Sequence, residues 1–210
     1  MGLAEFTQAI PFPFGNEMEM DMETILGIAV GIGLSAACGF RVFVPLLVMN
    51  LASLTGHLHL GPGFEWIGST YGTVAFGTAT IVEILAYTVP WLDHVLDLIT
   101  SPAAIVAGAI ATASMVMEIS PFLKWTLAII AGGGAAAIVQ GATVAIRTKS
   151  SALTAGMGNP LVATAELAGS VVTALLAILV PILCIIVISL FCFFVIWKAG
   201  HLFFGRTKIT

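Results

Sequence analysis

Two glutamates lie within long apolar segments of this 210-residue chain, and both are candidates for ion or proton binding. Glu83 stands near the middle of one apolar segment, and Glu166 stands one to two turns into a later one. A charged side chain at the centre of a bilayer costs about 2.5–3.5 kcal/mol on insertion scales, so it faces a partner or a wet cavity. The alternative is structural: a carboxylate bonded to a neighbouring helix or, for Glu166, an acid near a helix start.

Arg41 is the basic residue of the first apolar segment. A guanidinium stays protonated in proteins, so Arg41 needs a carboxylate, carbonyl groups or water. A pair with Glu83 or with Glu166 is the simplest way to lower the cost of both charges. Two other interpretations stay open: Arg41 binds an anionic head group, or it extends to the membrane interface.

The densest polar cluster contains Asp93, His94 and Asp97. On a helix, positions 93 and 97 are one turn apart and positions 94 and 97 are also neighbours. Two carboxylates and an imidazole suit a divalent cation or a proton relay. The alternative is an interfacial helix whose polar groups face water.

His57 and His59 are weaker metal candidates, considered together with the Asp93, His94 and Asp97 cluster. Their alternate spacing suits two ligands on one strand, but a site needs a third ligand, and a plain outer loop is the competing interpretation. The Gly31-x-Gly33 pattern lacks the preceding strand of a dinucleotide fold. We therefore expect no cofactor.

The composition identifies the class of protein. Hydrophobic residues make up 59% of the chain and charged residues 9%, and the mean hydropathy is +1.10. A soluble domain carries about 25% charged residues. These values exclude a soluble enzyme, a nucleic-acid binder and a disordered chain, and they predict an all-α protein with several membrane-spanning helices.

Six spans are predicted, because each helical span needs about 20 apolar residues. A short amphipathic piece, Leu92–Ser101, is expected between the second span and the third. The last apolar run is too long for one helix and divides near Ile178–Pro181. The runs that contain the six spans are Glu23–Leu54, Gly72–Trp91, Pro102–Glu118, Trp125–Ile146 and Pro160–Trp197.

An even number of spans places both termini on the same side of the membrane. The basic residues expected on that side are Arg147, Lys149, Lys198, Arg206 and Lys208. Lys124 is the basic residue expected on the opposite side. The positive-inside rule then predicts that the N- and C-termini are cytoplasmic, in a bacterial inner membrane.

The chain divides into an acidic tail (1–22), a three-helix half (23–120), a second three-helix half (121–200) and a basic cytoplasmic tail (201–210). Gly27–Arg41 and Ile129–Thr143 are both small-residue segments that reach a polar residue beside a glycine. The halves are therefore predicted to form an inverted repeat, each with a broken or kinked first helix. The alternative is a resemblance by composition alone.

The pattern resembles a bacterial integral-membrane family, the domain of unknown function 4126, over roughly Ile25 to Lys198. Thr88–Val89, Ser101 and Leu167 stand where that family more often has charged residues. The resemblance implies the membrane architecture and the choice of residues, and it implies no activity. It is carried by Gly31–Pro45, Phe43–Leu47, Glu83, Pro90–Asp97, Pro102 with Gly108, and Gly158–Pro160 with Glu166.

We expect a small transporter or channel-like protein that moves an ion, a small metabolite or a lipid. Its pathway is predicted to pass Glu83, Arg41 and the Asp93, His94 and Asp97 cluster, with Glu166 as the counterpart in the second half. The competing hypothesis is a structural or assembly subunit of a larger membrane complex, and the third is a membrane enzyme that acts on a lipid. Expected partners are membrane lipid and a homo-oligomer or larger membrane complex, and no nucleic acid.

Overall fold

The computed structural model describes residues 22–87, 92–117 and 119–204, without the side chains of residues 92–94 and 202–204. Within these ranges the chain forms seven helices and no β-strand, which confirms the all-α class. Most of the two predicted tails, 1–21 and 205–210, lies outside the described residues. The helices are α1 (Met22–Phe40), α2 (Phe43–Leu54), α3 (Thr70–Ala86), α4 (Leu92–Met115), α5 (Pro121–Thr154), α6 (Asn159–Leu179) and α7 (Pro181–Phe204).

Five of the described helices are long and apolar enough to cross a membrane. These are α1, α4 from Val95 onward, α5, α6 and α7 to His201. The apolar helices α2 and α3 are shorter, with 12 and 17 residues. The chain is thus a membrane protein with several apolar helices.

The first apolar run reverses direction at Arg41 and Val42. The loop that follows α2 returns to the start of α1, because His57 and Glu23 line the same cavity. In the same loop the Gly61 amide donates to the Ser114 carbonyl oxygen near the end of α4, at 2.7 Å. The run expected to form one broken span is therefore an antiparallel pair of helices, α1 and α2.

The central helix is α1, which packs against α4, α5, α6 and α7. Its small residues allow the other helix backbones to approach closely. A Cβ atom on Gly39 would lie 2.6 Å from the Ala136 carbonyl oxygen of α5. A Cβ atom on Gly33 would lie 2.7 Å from the Ala177 Cβ atom of α6. Close packing of small residues therefore sets the position of α1.

The glycine contacts also give the helix directions. Gly31 and Gly132 both pack against Thr112, whereas Gly39 packs against Gln140. Helices α1 and α5 therefore run in the same direction. An inverted repeat requires these two segments to run in opposite directions. The described helices therefore do not show the predicted inverted repeat.

The last helix, α7, is also parallel to α1. The Cys184 sulfur lies beside Gly33, and the Phe191 ring centroid is 6.4 Å from that of Phe40. Met22 and His201 therefore lie at opposite ends of the bundle. Both termini were predicted on the same side because an even number of spans was counted. The reversal at Arg41 gives the first apolar run two helices instead of one, so the two ends of the described chain lie on opposite sides of the bundle.

Two proline-related predictions have different outcomes. The division before Pro181 is confirmed, because α6 ends at Leu179 and α7 begins at Pro181. The break before Pro102 is wrong, because α4 continues through it. In the turn before Pro102, the Ser101 hydroxyl donates to the Asp97 carbonyl oxygen at 2.6 Å. This bond lies in the turn before Pro102, whose missing amide leaves the Leu98 carbonyl oxygen without its usual helical donor.

Helix α5 is longer than the predicted span of 125–146. It extends from Pro121 to Thr154 and contains a π-helical segment, Ala128–Gly133. Arg147 and Lys149, which lie beyond the predicted span, are therefore helical. Helix α5 thus contains a basic residue that was predicted to lie outside the fourth span.

We expect Gly39→Ala to lower the thermal stability of the protein in detergent. The added methyl group would meet the backbone of α5, and overpacking of this kind costs about 1–3 kcal/mol. The matched control is Gly77→Ala, since a Cβ atom on Gly77 has no neighbour within 4 Å. Melting temperatures from size-exclusion chromatography after heating would measure both. Equal melting temperatures would contradict the close packing of α1.

Candidate functional site

Five ionisable side chains from different parts of the bundle form one buried network. Arg41 follows α1, Glu83 lies on α3, Asp97 on α4, Arg147 on α5 and Glu166 on α6. Asp97 is five residues from the start of α4, and Glu166 is seven residues from the start of α6. At 1.5 Å per residue these positions are about 8–11 Å from the helix ends. The network therefore lies beneath one end of the bundle.

Arg147 links two carboxylates. One guanidinium nitrogen donates to Asp97 and the other donates to Glu166. The Arg147 side chain is 4% exposed and that of Asp97 is 16% exposed. A charge removed from water to this extent requires charged partners. Arg147 is therefore the centre of a buried ion-pair network that holds α4, α5 and α6 together.

Arg41 joins the same network through Glu166. Its Nη2 atom is 3.5 Å from Glu166 Oε2 and donates to the Ala163 carbonyl oxygen at 3.0 Å. Its Nε and Nη1 atoms have no hydrogen-bond partner among the described residues. Arg41 is 2% exposed, so part of a buried guanidinium is available for a further ligand or water.

The ring of Tyr87, like Glu166, contacts both arginines. The Arg41 Cζ atom is 3.9 Å from the ring centroid, and the Arg147 Cζ atom is 4.3 Å from it. The Tyr87 hydroxyl donates to Asp97 Oδ1 at 3.2 Å and lies 3.1 Å from Thr100 Oγ1. A guanidinium over an aromatic face is stabilised by the ring quadrupole. Tyr87 therefore keeps the two like charges in fixed positions.

Glu83 binds backbone rather than a cation. Its Oε1 atom accepts from the Val42 amide at 2.9 Å, and its Oε2 atom accepts from the Phe43 amide at 3.2 Å. The first amides of a helix have no intrahelical partner and carry partial positive charge. Glu83 thus stabilises the start of α2 at the chain reversal, and none of the described basic side chains forms an ion pair with it.

A small cavity adjoins the network at Glu166. It has a volume of about 260 Å³ and is otherwise lined mainly by apolar side chains, Phe40 and Leu161 among them. Glu166 is 4% exposed, and its Oε1 atom has no hydrogen-bond partner among the described residues. This oxygen is therefore available to a proton, a water molecule or a small donor.

The structure brings together four of the predicted site residues: Arg41, Glu83, Asp97 and Glu166. Arg41 was predicted to pair with either Glu83 or Glu166, and the structure contains the pair with Glu166. The side chains of Asp93 and His94 lie outside the described residues, so their predicted role stays a prediction.

The two loop histidines are far from this network. His57 and His59 are exposed and line a cavity with Glu23 and Met115, at the opposite end of the bundle. The His57 Nδ1 atom is 3.0 Å from Thr55 Oγ1. Among the described residues, no group of three or more His, Cys, Asp or Glu side chains could hold a metal ion.

Sequence analysis did not identify Arg147 and Tyr87 as site residues. A signal for Arg147 is present in the chain, because Gln140, Thr143 and Arg147 have helical 3–4 spacing and are all buried on α5. Three polar residues on one face of an apolar helix indicate a partner across the helix interface. For Tyr87 the sequence carries no such signal.

The fold and the network define a helical membrane protein with a paired, buried charge cluster beneath one end of its bundle. A family sequence profile matches residues 28–200, and its description is domain of unknown function (DUF4126). The chain belongs to this family. A search of curated proteins and a search of solved structures found no match.

We expect Arg147→Ala to destabilise the protein strongly, because Asp97 and Glu166 would lose a shared buried partner. Removing one member of a buried pair costs about 3–5 kcal/mol. The matched control is Lys149→Ala, since Lys149 is exposed on the same helix. Thermal unfolding in detergent measures the difference. The double variant Arg147→Ala with Glu166→Gln should regain part of the loss, and the absence of any regain would argue against the Arg147–Glu166 pair.

Proposed function

We propose that this protein is a small transporter or channel-like protein whose pathway includes the buried charge network. The observation that carries the proposal is a charge imbalance. The described part of the network has three carboxylates, those of Glu83, Asp97 and Glu166, and two guanidiniums, those of Arg41 and Arg147. Among these carboxylates, buried Glu83 has no ion-pair partner among the described residues, and a buried carboxylate favours a cation or a proton beside it. We infer that the transported species is a cation or a proton.

The chain reversal at Arg41 and Val42 supplies a movable element. The Val42 and Phe43 amides depend on the ionised Glu83 carboxylate for their hydrogen bonds. A proton or cation on Glu83 weakens its attraction for these amides, since hydrogen bonds to a charged acceptor are roughly twice as strong as those to a neutral one. Occupation of the site thus changes how firmly the start of α2 is held.

We propose that the protein resides in a bacterial cytoplasmic membrane, with the network toward the cytoplasm. Lys149 follows Arg147 at the network end, and Lys198 lies beyond Phe191 on α7, at the same end. Lys124 lies at the opposite end, near Gly61. Lysine enrichment at one end favours the cytoplasmic side. In this orientation His201 is on the cytoplasmic side and Met22 is on the other.

A second candidate function is supported by α7. It is the least buried of the five candidate spans, with 11% of its apolar window buried. Its surface includes exposed aromatic side chains at Phe193, Phe194 and Trp197. Large exposed aromatic side chains are frequent at protein interfaces. This surface suits an assembly subunit that packs against another membrane protein, or a second copy of this chain.

We expect purified protein in liposomes to conduct protons or to exchange protons for a monovalent cation. A pH-sensitive dye inside the vesicles measures the flux under an imposed potential. Glu83→Gln should reduce the flux by about tenfold or more, because an amide cannot carry the charge that the site requires. The matched control is Glu65→Gln, since Glu65 is an exposed carboxylate in the loop before α3.

Two results would overturn the transport proposal. One is a flux in wild-type vesicles no greater than in protein-free vesicles for protons and for monovalent cations, both inorganic and organic. The other is an equal flux in the wild-type protein and the Glu83→Gln variant, provided that both elute as folded protein. Recovery with a stoichiometric membrane partner in mild detergent would instead favour the assembly subunit.

A further inference from the structure

A large cavity opens at the side of the bundle between α3 and α4. Its volume is about 610 Å³, within the range of pockets that hold small organic molecules. Most of its lining is apolar, and Val74, Val82 and Ile99 contribute side chains that are more than half exposed. Because these exposed side chains belong to apolar helices, the cavity opens on an apolar side of the bundle.

Glu83 is the charged residue in the lining of this lateral cavity. Both carboxylate oxygens accept from backbone amides, yet an ionised carboxylate offers about four acceptor positions. Two of them remain after the bonds to Val42 and Phe43. None of the described basic side chains forms an ion pair with Glu83, since Arg147 pairs with Asp97 and Glu166, and Arg41 pairs with Glu166. The cavity therefore combines apolar walls with one negative charge.

These features specify the charge and the polarity of a ligand. An apolar cavity beside a carboxylate that has no ion-pair partner among the described residues disfavours anions, because a like charge in a medium of low dielectric constant is repelled strongly. It also disfavours strongly hydrated inorganic cations, which would lose their water against Val74, Ala79 and Ile99. A cation whose charge is shielded by alkyl or aryl groups avoids both penalties.

We propose that the lateral cavity binds a singly charged, lipophilic organic cation, with Glu83 as the counter-ion and the apolar side chains of α3 and α4 as the walls. The inference rests on the proposed transport function and names the substrate class of that site. One positive charge matches the one carboxylate, that of Glu83, in the lining of the cavity. Entry from the lipid phase suits a compound that partitions into the bilayer.

The test is equilibrium dialysis of radiolabelled tetraphenylphosphonium against the purified full chain in detergent. Saturable binding is expected, and Glu83→Gln should weaken it by about tenfold or more, equivalent to about 1.4 kcal/mol. Ala79→Trp should abolish binding by filling the cavity without changing its charge. Ile81→Trp is the matched control, because Ile81 is exposed on the same helix and does not line the cavity. A neutral analogue, triphenylphosphine oxide, should not compete.

The outcomes separate this inference from the transport proposal. Equal tetraphenylphosphonium affinity in the wild type, Glu83→Gln and Ala79→Trp would overturn the inference, as would effective competition by the neutral analogue, which is expected of a lipid acyl-chain groove. Wild-type protein without saturable binding but with a Glu83-dependent proton flux would refute the organic-cation substrate and leave transport standing. Loss of both binding and flux in the wild type would refute both.

Discussion

The two backbone amides at the start of α2 impose the constraint on which the rest of this structure depends. In hydrocarbon no water is present to bond a free amide, so a chain reversal inside the bundle is tolerated only where protein groups satisfy it. Glu83 does so for Val42 and Phe43. The reversal creates the α1–α2 pair and leaves Arg41 at the end of α1. The carboxylate on α3 thus determines both the local fold and the position of the first arginine.

Arg41 then determines which other charges are needed nearby. A buried guanidinium is stable only when acidic groups and aromatic faces replace its hydration. Glu166, Asp97 and Tyr87 supply these contacts to Arg41 and Arg147 together. The result is a network in which Arg147 bridges two carboxylates and Glu83 binds the backbone amides at the start of α2. The proposed binding of a charge at this site builds on that arrangement.

Close helix packing brings the side chains of this network within contact distance of one another. Lipid offers no hydrophobic driving force for helix association, so membrane helices depend on van der Waals contact between small residues. Gly31, Gly33 and Gly39 allow α1 to contact α4, α5 and α6 at once. Larger residues at these positions would separate the helices, and the ion pairs between them would lengthen.

The composition and the placement of charges determined much of this protein. They predicted a helical membrane protein, the division before Pro181, and Arg41, Glu83, Asp97 and Glu166 as the residues of interest. These properties depend on local polarity, which a sequence displays directly, since an ionisable group in an apolar segment requires compensation wherever it is found. The family resemblance is confirmed over residues 28–200.

Tertiary structure decided the rest. The reversal at Val42, the common direction of α1 and α5, and the inclusion of Arg147 depend on contacts between segments that are distant in sequence. Hydropathy cannot show whether an apolar run of about thirty residues crosses once or turns back, because the apolar residues are the same in both cases. The position of Glu83 beside the Val42 and Phe43 amides, which stabilises the turn, appears only in the tertiary structure.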